Sequence, residues 1–166
     1  MSKQPLPTIY LSLAAQRTLL QDIQTRPQIE ACGMLLGRSE PGIAWQIEEA
    51  LPLRNIYNSP VYFEFAPEDI LSADLNYPGH VVGVYHSHPT GFAKASDTDR
   101  QNMQRVNVDE QIPWCWLIIS GPFKGLAEKA TATSEALVFA GLDKIAYHHD
   151  QALGLKKLSI TLEEQK

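Results

Sequence analysis

The chain has 166 residues, of which 44% are hydrophobic and 20% are charged, a composition typical of folded globular proteins and not of disordered ones. Its formal net charge is −5, from 14 basic and 19 acidic residues, and no Lys/Arg cluster indicates a nucleic-acid-binding surface. No apolar run approaches membrane-spanning length, and the N-terminus lacks the pattern of a signal peptide. We therefore expect one cytoplasmic domain over residues 1–166, without nucleic-acid or membrane partners.

Two helices and three extended segments are predicted in the first half of the chain. Apolar residues recur at helical spacing over 12–26, where Ser12 can cap the start and Pro27 ends the pattern. A proline followed by two acids predicts a second helix that begins at Pro67. The predicted extended segments are a strand at 31–37, a strand at 42–53, and a strand or hairpin arm within the aromatic stretch 54–66.

The second half continues this alternation of helices and strands. The predicted elements are a strand at 81–88, a helix from about residue 97, a strand at 114–120 and a late strand at 155–164. The short apolar run 135–142 fits a helix or a strand equally well. Helices interleaved with strands predict an α/β domain with helices packed on a central sheet.

Two histidines stand at the end of the predicted strand 81–88. Side chains alternate along a strand, so Val82, Val84, His86 and His88 are expected on one face, and Pro89 ends the ladder. A single histidine in such a place is most often hydrogen-bonded or exposed. Two neutral imidazoles at positions i and i+2, however, can converge on one metal ion.

A carboxylate follows on the next predicted helix. Asp99, Met103 and Val106 share one helical face, which is the apolar one. An ionised carboxylate on a buried face is costly unless it is paired or metal-bound. Two histidines and one aspartate would form a site with three protein ligands and one open position, the pattern of catalytic zinc. Ser96-x-x-Asp99 also has the spacing of a helix capping box, and both interpretations can hold together.

These residues resemble a known family motif. Glu30 ahead of "CGMLLG", "HSHP" at 86–89 and Ser96-x-x-Asp99 are similar to the motif of the JAMM (MPN+) metalloproteases. The resemblance covers roughly residues 8–122, whereas 123–166 carry little of it. It implies a small, prokaryotic-type member with a single MPN/JAMM domain: a central mixed, twisted sheet flanked by helices, layered as in cytidine deaminases.

The resemblance also implies a role for each motif residue. His86, His88 and Asp99 would hold one Zn²⁺ per chain. Glu30 would accept the proton of the attacking water and pass one to the leaving amine. Ser96 would help to hold the oxyanion, through its hydroxyl or through the helix start that it caps. Ser87 lies between the two histidines, points the other way, and is given no chemical role.

The family's substrates imply a partner. We expect an isopeptidase or peptidase that cleaves after the glycine-rich C-terminal tail of a ubiquitin-like protein, in deconjugation or precursor processing. The tail could add as a strand to a sheet edge, which we place in segment 54–65. The alternatives are a peptidase that releases a small amino-acid adduct from a ubiquitin-like sulfur-carrier protein, and an inactive MPN module that acts only as a scaffold.

The cysteines and the other histidine pair are not expected to bind metal. Cys115 lies in a predicted buried strand and is expected to be an inert core thiol. The sequence does not decide whether Cys115 forms a disulfide with Cys32, although a cytosolic setting disfavours such a bond. The pair His148-His149 is interpreted as a plain surface pair. No histidine or cysteine lies between Asp99 and Cys115, so the second, structural zinc of some JAMM proteins is not expected.

Overall fold

The computed structural model describes residues 6–166, and in that part of the chain seven strands form one closed sheet. The strands are β1 (Thr8–Leu11), β2 (Cys32–Glu40), β3 (Ala44–Leu53), β4 (Val81–His88), β5 (Cys115–Ser120), β6 (Lys144–Asp150) and β7 (Gly154–Leu162). The helices are α1 (Leu13–Thr25), α2 (Pro67–Asn76), α3 (Asp97–Gln104), α4 (Leu126–Ala132) and α5 (Glu135–Ala140). A π-helical segment, Arg105–Asp109, continues α3.

The sheet is mixed, as predicted, but it is not open. The strand order is β1-β3-β2-β4-β5-β6-β7, and β1 pairs in parallel with both β3 and β7, which closes the sheet into a barrel. The predicted α/β class and mixed sheet are therefore confirmed, whereas the closure of the sheet into a barrel was not predicted. Strands β6 and β7, which take part in this closure, come from the C-terminal part of the chain. There the sequence pattern was weakest, and the resemblance to the JAMM family did not extend over this part.

The predicted helix starts agree with the structure. Ser12 caps α1, and its side chain accepts a hydrogen bond from the Ala15 N–H. Pro67 occupies the start of α2, where its missing N–H has no helical partner to lose. The ambiguous run at 135–142 contains the short helix α5. The prediction of a strand or hairpin arm in 54–66 is wrong, because this segment is a loop.

Two hydrophobic clusters lie on the two faces of the sheet. Along β5, Leu117 and Ile119 pack into the cluster that includes α1, whereas Trp116 and Ile118 pack into the cluster that includes α3. This alternation is what a strand buried on both faces requires. Helices therefore flank the sheet on both faces.

Strand β4 departs from strict alternation near its start. Its register with β2 shifts between Leu35, opposite Gly83, and Leu36, opposite Val81. Such a β-bulge leaves Val82 in the α1 cluster, while Val84 lies in the α3 cluster. The prediction that Val82 shares a face with Val84 is therefore wrong.

The pairing of β2 with β4 explains why a distant glutamate reaches the histidines. The strands are antiparallel, with Cys32 opposite His86. The Ser87 N–H donates to the Ala31 carbonyl, so the register continues past the end of β2. One step further along this register lie Glu30 and His88.

The other cysteine and histidine predictions have mixed outcomes. Cys32 and Cys115 are both buried and both free, so the open question of a disulfide is answered and Cys115 is a core thiol as expected. His148 is buried, donates from Nδ1 to the Trp114 carbonyl and packs against Trp45, so the prediction of a surface pair is wrong for this residue. In residues 6–166, no helix combines the length and the apolar character that crossing a membrane requires.

Candidate metal centre

Three side chains converge where β4 ends and α3 begins. Nε2 of His86 lies 3.1 Å from Nε2 of His88, and each of these nitrogens lies 3.2 Å from Oδ2 of Asp99. The three atoms form a nearly equilateral triangle. The structure therefore brings together the three residues that the sequence predicted as metal ligands.

The surroundings of each imidazole differ. His88 donates from Nδ1 to the Phe92 carbonyl at 2.9 Å, so the neutral imidazole carries its lone pair on Nε2, the nitrogen at the triangle. The ring of His86 stacks on the ring of Phe63, with centroids 4.6 Å apart and planes 26° apart. Nδ1 of His86 is buried and has no hydrogen-bond partner among the described residues. A hydrogen bond from Nδ1 thus orients the ring of His88, whereas burial and the stack on Phe63 hold the ring of His86.

Asp99 is held by the start of its own helix. Ser96 is the N-cap of α3, and its Oγ accepts from the Asp99 N–H at 3.0 Å. The Ser96 N–H donates to Oδ2 of Asp99 at 2.9 Å, which completes a capping box. The cap and the carboxylate position are therefore one structural unit, as the two interpretations of Ser96-x-x-Asp99 allowed. Asp99, Met103 and Val106 are all buried, so the predicted apolar face is confirmed.

Glu30 lies just outside the triangle. Its Oε1 is 3.9 Å from Nε2 of His86, and its side chain is only 5% exposed. Glu30, His86 and His88 each offer a donor atom within 4.8 Å of the others. Both carboxylates are thus near the histidines, but Asp99 is the closer one.

Burial and mutual contacts shift the pKa values of the two histidines and the two carboxyl groups. Burial raises the pKa of Glu30 to about 8, although the nearby His88 opposes the shift. Burial also lowers the pKa of His86. For His88, burial acts downward, but hydrogen bonds to Asp99 and to the Phe92 carbonyl outweigh it and raise the pKa. For Asp99, burial acts upward, but hydrogen bonds from both histidines outweigh it and lower the pKa.

The donor set fits a metal ion. Tetrahedral zinc with ligands at about 2.0–2.1 Å places neighbouring donor atoms roughly 3.3–3.5 Å apart, close to the edges of the observed triangle. Two imidazole nitrogens and one carboxylate oxygen are ligands typical of catalytic zinc. Without a cation, two buried carboxylates and two imidazoles would lie together with little water to solvate them. The cluster can therefore hold a divalent metal.

Some contributors to the site carried no signal in the sequence. Phe63 was assigned to a strand, yet it lies against His86. Ser87 was given no role, yet its side chain contacts the residues on both sides of Glu30. Asn55 stood within turn-forming residues, yet it is buried and bonds the Glu30 carbonyl. Loop contacts of this kind follow no periodicity, so a single sequence does not show them.

Comparison with known proteins agrees with this geometry. The family described as "Prokaryotic homologs of the JAB domain" matches residues 12–134. A relative named Desampylase, from Pyrococcus furiosus, is 33% identical over 108 residues, which cover 61% of this chain and 69% of that protein. Another Desampylase, from Haloferax volcanii, is 38% identical over 79 residues, or 45% of this chain and 55% of that protein. The chain thus spans only about half the length of the second relative.

Two further matches say less about the family of this chain. Tail tip assembly protein K of Escherichia phage lambda is 39% identical over 56 residues, which cover 34% of this chain and 25% of that protein. The solution structure of protein DSY2949 from Desulfitobacterium hafniense matches with a TM-score of 0.64 and 24% sequence identity. The match covers 95% of this chain and 94% of that protein, and it shows a similarity of fold alone. The family match extends over most of the chain and includes Glu30, both histidines, Ser96 and Asp99. The protein therefore belongs to the prokaryotic homologs of the JAB domain, as the JAMM/MPN motif in its sequence predicted.

Proposed function

We propose that this chain is a zinc-dependent isopeptidase or peptidase that cleaves after the glycine-rich C-terminal tail of a ubiquitin-like protein. One observation carries the proposal: two imidazole nitrogens and one carboxylate oxygen form a triangle with edges of 3.1–3.2 Å, and a second, buried carboxylate lies beside it. This is the arrangement that a metal-dependent hydrolase needs, with a metal at the triangle and a base next to it.

His86, His88 and Asp99 would hold the metal through Nε2, Nε2 and Oδ2. Zinc in such a site supplies Lewis acidity toward the substrate carbonyl and lowers the pKa of water to about 7. The two neutral imidazoles and the carboxylate suit zinc better than the all-oxygen sites of magnesium or calcium. The hydrogen bond from Nδ1 of His88 to Phe92 keeps Nε2 free to act as a ligand.

Glu30 is the proposed general base. Its carboxylate is buried beside the triangle and is not one of its three vertices. A cation at the triangle would favour the ionised form of Glu30, because opposite charges in a poorly hydrated place attract strongly. Glu30 would then accept a proton from the attacking water and deliver it to the leaving amine. A pKa that burial pushes upward makes the protonated form accessible for the second transfer.

Ser96 has a hydroxyl hydrogen left for the substrate. Its Oγ accepts from the Asp99 N–H, which uses a lone pair and not the O–H donor. A donor fixed by its cap geometry could bond the oxyanion that forms on the substrate carbonyl. The same serine thereby orients Asp99 and stabilises developing charge.

The loop 54–66 is the proposed receiving surface for the substrate tail. It places Phe63 against His86, and it exposes four apolar side chains: Ile56, Tyr57, Val61 and Tyr62. Each strand among the described residues already has two neighbours, so the tail would lie along this loop and not beside a strand of the sheet. A tail that ends in glycines has no side chains to clash with the aromatic groups. The name Desampylase of the two archaeal relatives also supports a hydrolase that removes an adduct.

The test is cleavage of defined fusions. A ubiquitin-like protein that ends in two glycines is joined through its C-terminus to a reporter, to a lysine side chain, or to a single amino acid, and the products are identified by mass. We expect cleavage directly after the second glycine, and loss of cleavage when both glycines are replaced by bulky residues. Absence of cleavage of all three linkages by zinc-loaded protein, or equal cutting of an unfolded protein without the tail, would contradict the proposal.

A further inference from the structure

We propose that Ser87 and Asn55 are positioning residues that fix the main chain of Glu30 from opposite sides, so that its carboxylate keeps its place beside the metal. This inference rests on the proposed role of Glu30 as the general base. It assigns a task to the serine between the two histidines and to an asparagine of the loop 54–66, neither of which is a proposed metal ligand and both of which are buried.

The first clamp comes from β4. Oγ of Ser87 accepts a hydrogen bond from the Ala31 N–H at 2.8 Å and donates to the Ile29 carbonyl at 3.4 Å. The Ser87 N–H donates to the Ala31 carbonyl at 2.8 Å. One serine thus bonds the residues on both sides of Glu30. Ser87 is 1% exposed, so these bonds do not compete with water.

The second clamp comes from the loop 54–66. Nδ2 of Asn55 donates to the Glu30 carbonyl at 3.1 Å and to the Tyr62 carbonyl at 2.8 Å. Its Oδ1 accepts from the N–H groups of Tyr57 and Glu64. All four hydrogen-bonding positions of the amide are therefore used, and Asn55 is 3% exposed. The Glu30 N–H donates a hydrogen bond of 2.8 Å to the carbonyl of Ser59, which lies in the same loop.

These bonds matter because regular structure does not hold Glu30. Helix α1 ends at Thr25 and β2 begins at Cys32, so Glu30 and Ala31 lie in the connection between them. A general base must lie within hydrogen-bonding distance, about 2.6–3.2 Å, of the atom whose proton it takes, and a misplacement of about 1 Å can cost roughly 10²-fold in rate. Ser87 and Asn55 supply the constraint that a helix or strand would otherwise supply.

The chain contains a matched control for Asn55. Asn107 is also 3% exposed, and its amide also makes four hydrogen bonds: it donates to the carbonyls of Ile112 and Trp114 and accepts from Trp116 and His149. None of these four hydrogen bonds involves Glu30. Asn55→Asp and Asn107→Asp both replace two donors with an oxygen that faces two carbonyls. Both variants should lose stability, but only the first should disturb Glu30.

The kinetic test combines each variant with Glu30→Gln on zinc-loaded protein, below the melting temperature of every variant. We expect Ser87→Ala and Asn55→Asp to keep the metal and to lower kcat at least about tenfold, with KM within about threefold. In the Glu30→Gln background each should cost less than about threefold more, because residues that act through one group are not additive. Asn107→Asp should leave kcat within about threefold of wild type.

A second readout does not depend on activity. Amide hydrogen exchange reports the clamps directly, because the Ala31 N–H bonds Ser87 and the Glu30 N–H bonds the loop that Asn55 organises. We expect the Ala31 amide to exchange at least about tenfold faster in Ser87→Ala, and the Glu30 amide likewise in Asn55→Asp. Neither amide should change in Asn107→Asp.

The outcomes separate this inference from the proposed function. Inactive Glu30→Gln together with wild-type turnover of Ser87→Ala and Asn55→Asp would overturn the positioning inference alone. Additive losses in the Glu30→Gln background, or unchanged exchange at both amides, would overturn it as well. Wild-type turnover of Glu30→Gln would overturn the assignment of Glu30 as the general base, and with it this inference, whereas the proposed cleavage activity would stand. Absence of cleavage by the wild-type protein would overturn the proposed function itself.

Discussion

The carboxylate of Glu30 lies 3.9 Å from Nε2 of His86, whereas the carboxylate of Asp99 lies 3.2 Å from the same nitrogen. Both acids are buried, and both lie near the histidines. The difference of distance separates their proposed roles: the nearer acid completes the metal triangle, and the further one is left to move protons.

The first prediction concerns the metal. Asp99→Asn should weaken zinc binding at least about tenfold, because the neutral amide is a poorer ligand and cannot balance the charge of the ion. Asp97→Asn is the matched control, since Asp97 lies two residues earlier on the same helix with its side chain 88% exposed and paired with Arg100. Titration with a competing chelator measures both affinities. Equal zinc affinity of the two variants would remove Asp99 from the ligand set, and full zinc retention in His86→Ala/His88→Ala would remove the histidines.

The second prediction concerns pH and the metal-free protein. Burial raises the pKa of Glu30 from an ordinary 4.5 to about 8, so the unfolded chain releases this proton at a lower pH than the folded one. The contribution of Glu30 to stability is therefore greatest below about pH 4.5 and is lost as the pH rises to about 8. Glu30→Gln does not ionise, so its melting temperature relative to wild type should rise between pH 5.5 and pH 8. A constant difference across this range would mean that the carboxyl is not desolvated.

The third prediction separates the two tasks of Ser96. Ser96→Ala should destabilise the protein by about 1 kcal/mol through the lost cap, and should also lower kcat by roughly 10²-fold through the lost donor to the oxyanion. Ser12→Ala removes the cap of α1 together with a hydrogen bond from Oγ to the Glu48 carbonyl, far along the chain from the metal centre, and should cost at least as much stability with kcat unchanged. Chemical denaturation and steady-state kinetics measure the two effects. If both variants lost only stability, Ser96 would be a cap and nothing more.

The fourth prediction concerns the ion pair between Asp22, in α1, and Arg26, in the connection that leads to Glu30. Asp22 accepts two hydrogen bonds from Arg26 and one from the Tyr85 hydroxyl, each at 2.7 Å, and its side chain is 5% exposed. Asp22→Ala would leave a largely buried guanidinium unpaired, so it should cost about 3 kcal/mol of unfolding free energy. Glu48→Ala breaks an exposed pair with Arg38 and should cost less than about 1 kcal/mol. Equal costs in urea denaturation would contradict this ranking.

Much of the site could be predicted from the sequence because each part follows a local rule. Alternation along β4 placed His86 and His88 on one face, and helical spacing placed Asp99 on the buried face of α3. Glu30 was different, because no periodicity pointed to it and only the resemblance to the JAMM motif did. The structure supplies the physical reason, which is the antiparallel register of β2 with β4.

The parts that could not be predicted depend on contacts between distant segments. Closure of the sheet depends on β1 pairing with β7, across almost the whole chain. The aromatic alternation in 54–66 favoured a strand. The side chain of Asn55, however, makes hydrogen bonds to the backbone of Tyr57, Tyr62 and Glu64, and these bonds hold the segment in a loop conformation. The bulge at Val82 likewise comes from pairing with β2 and not from the residue itself.

Zinc-loaded Glu30→Gln is the most direct test of the central claim, that Glu30 is the base and not a ligand. Gln is nearly isosteric and can still hydrogen-bond the attacking water, but it cannot take its proton. Zinc content, substrate binding and turnover are measured on the same preparation. We predict wild-type zinc and binding, with turnover at least about a hundredfold slower, within the range of general acid–base catalysis. Near-wild-type turnover would remove Glu30 from the mechanism, and loss of zinc would make it a ligand.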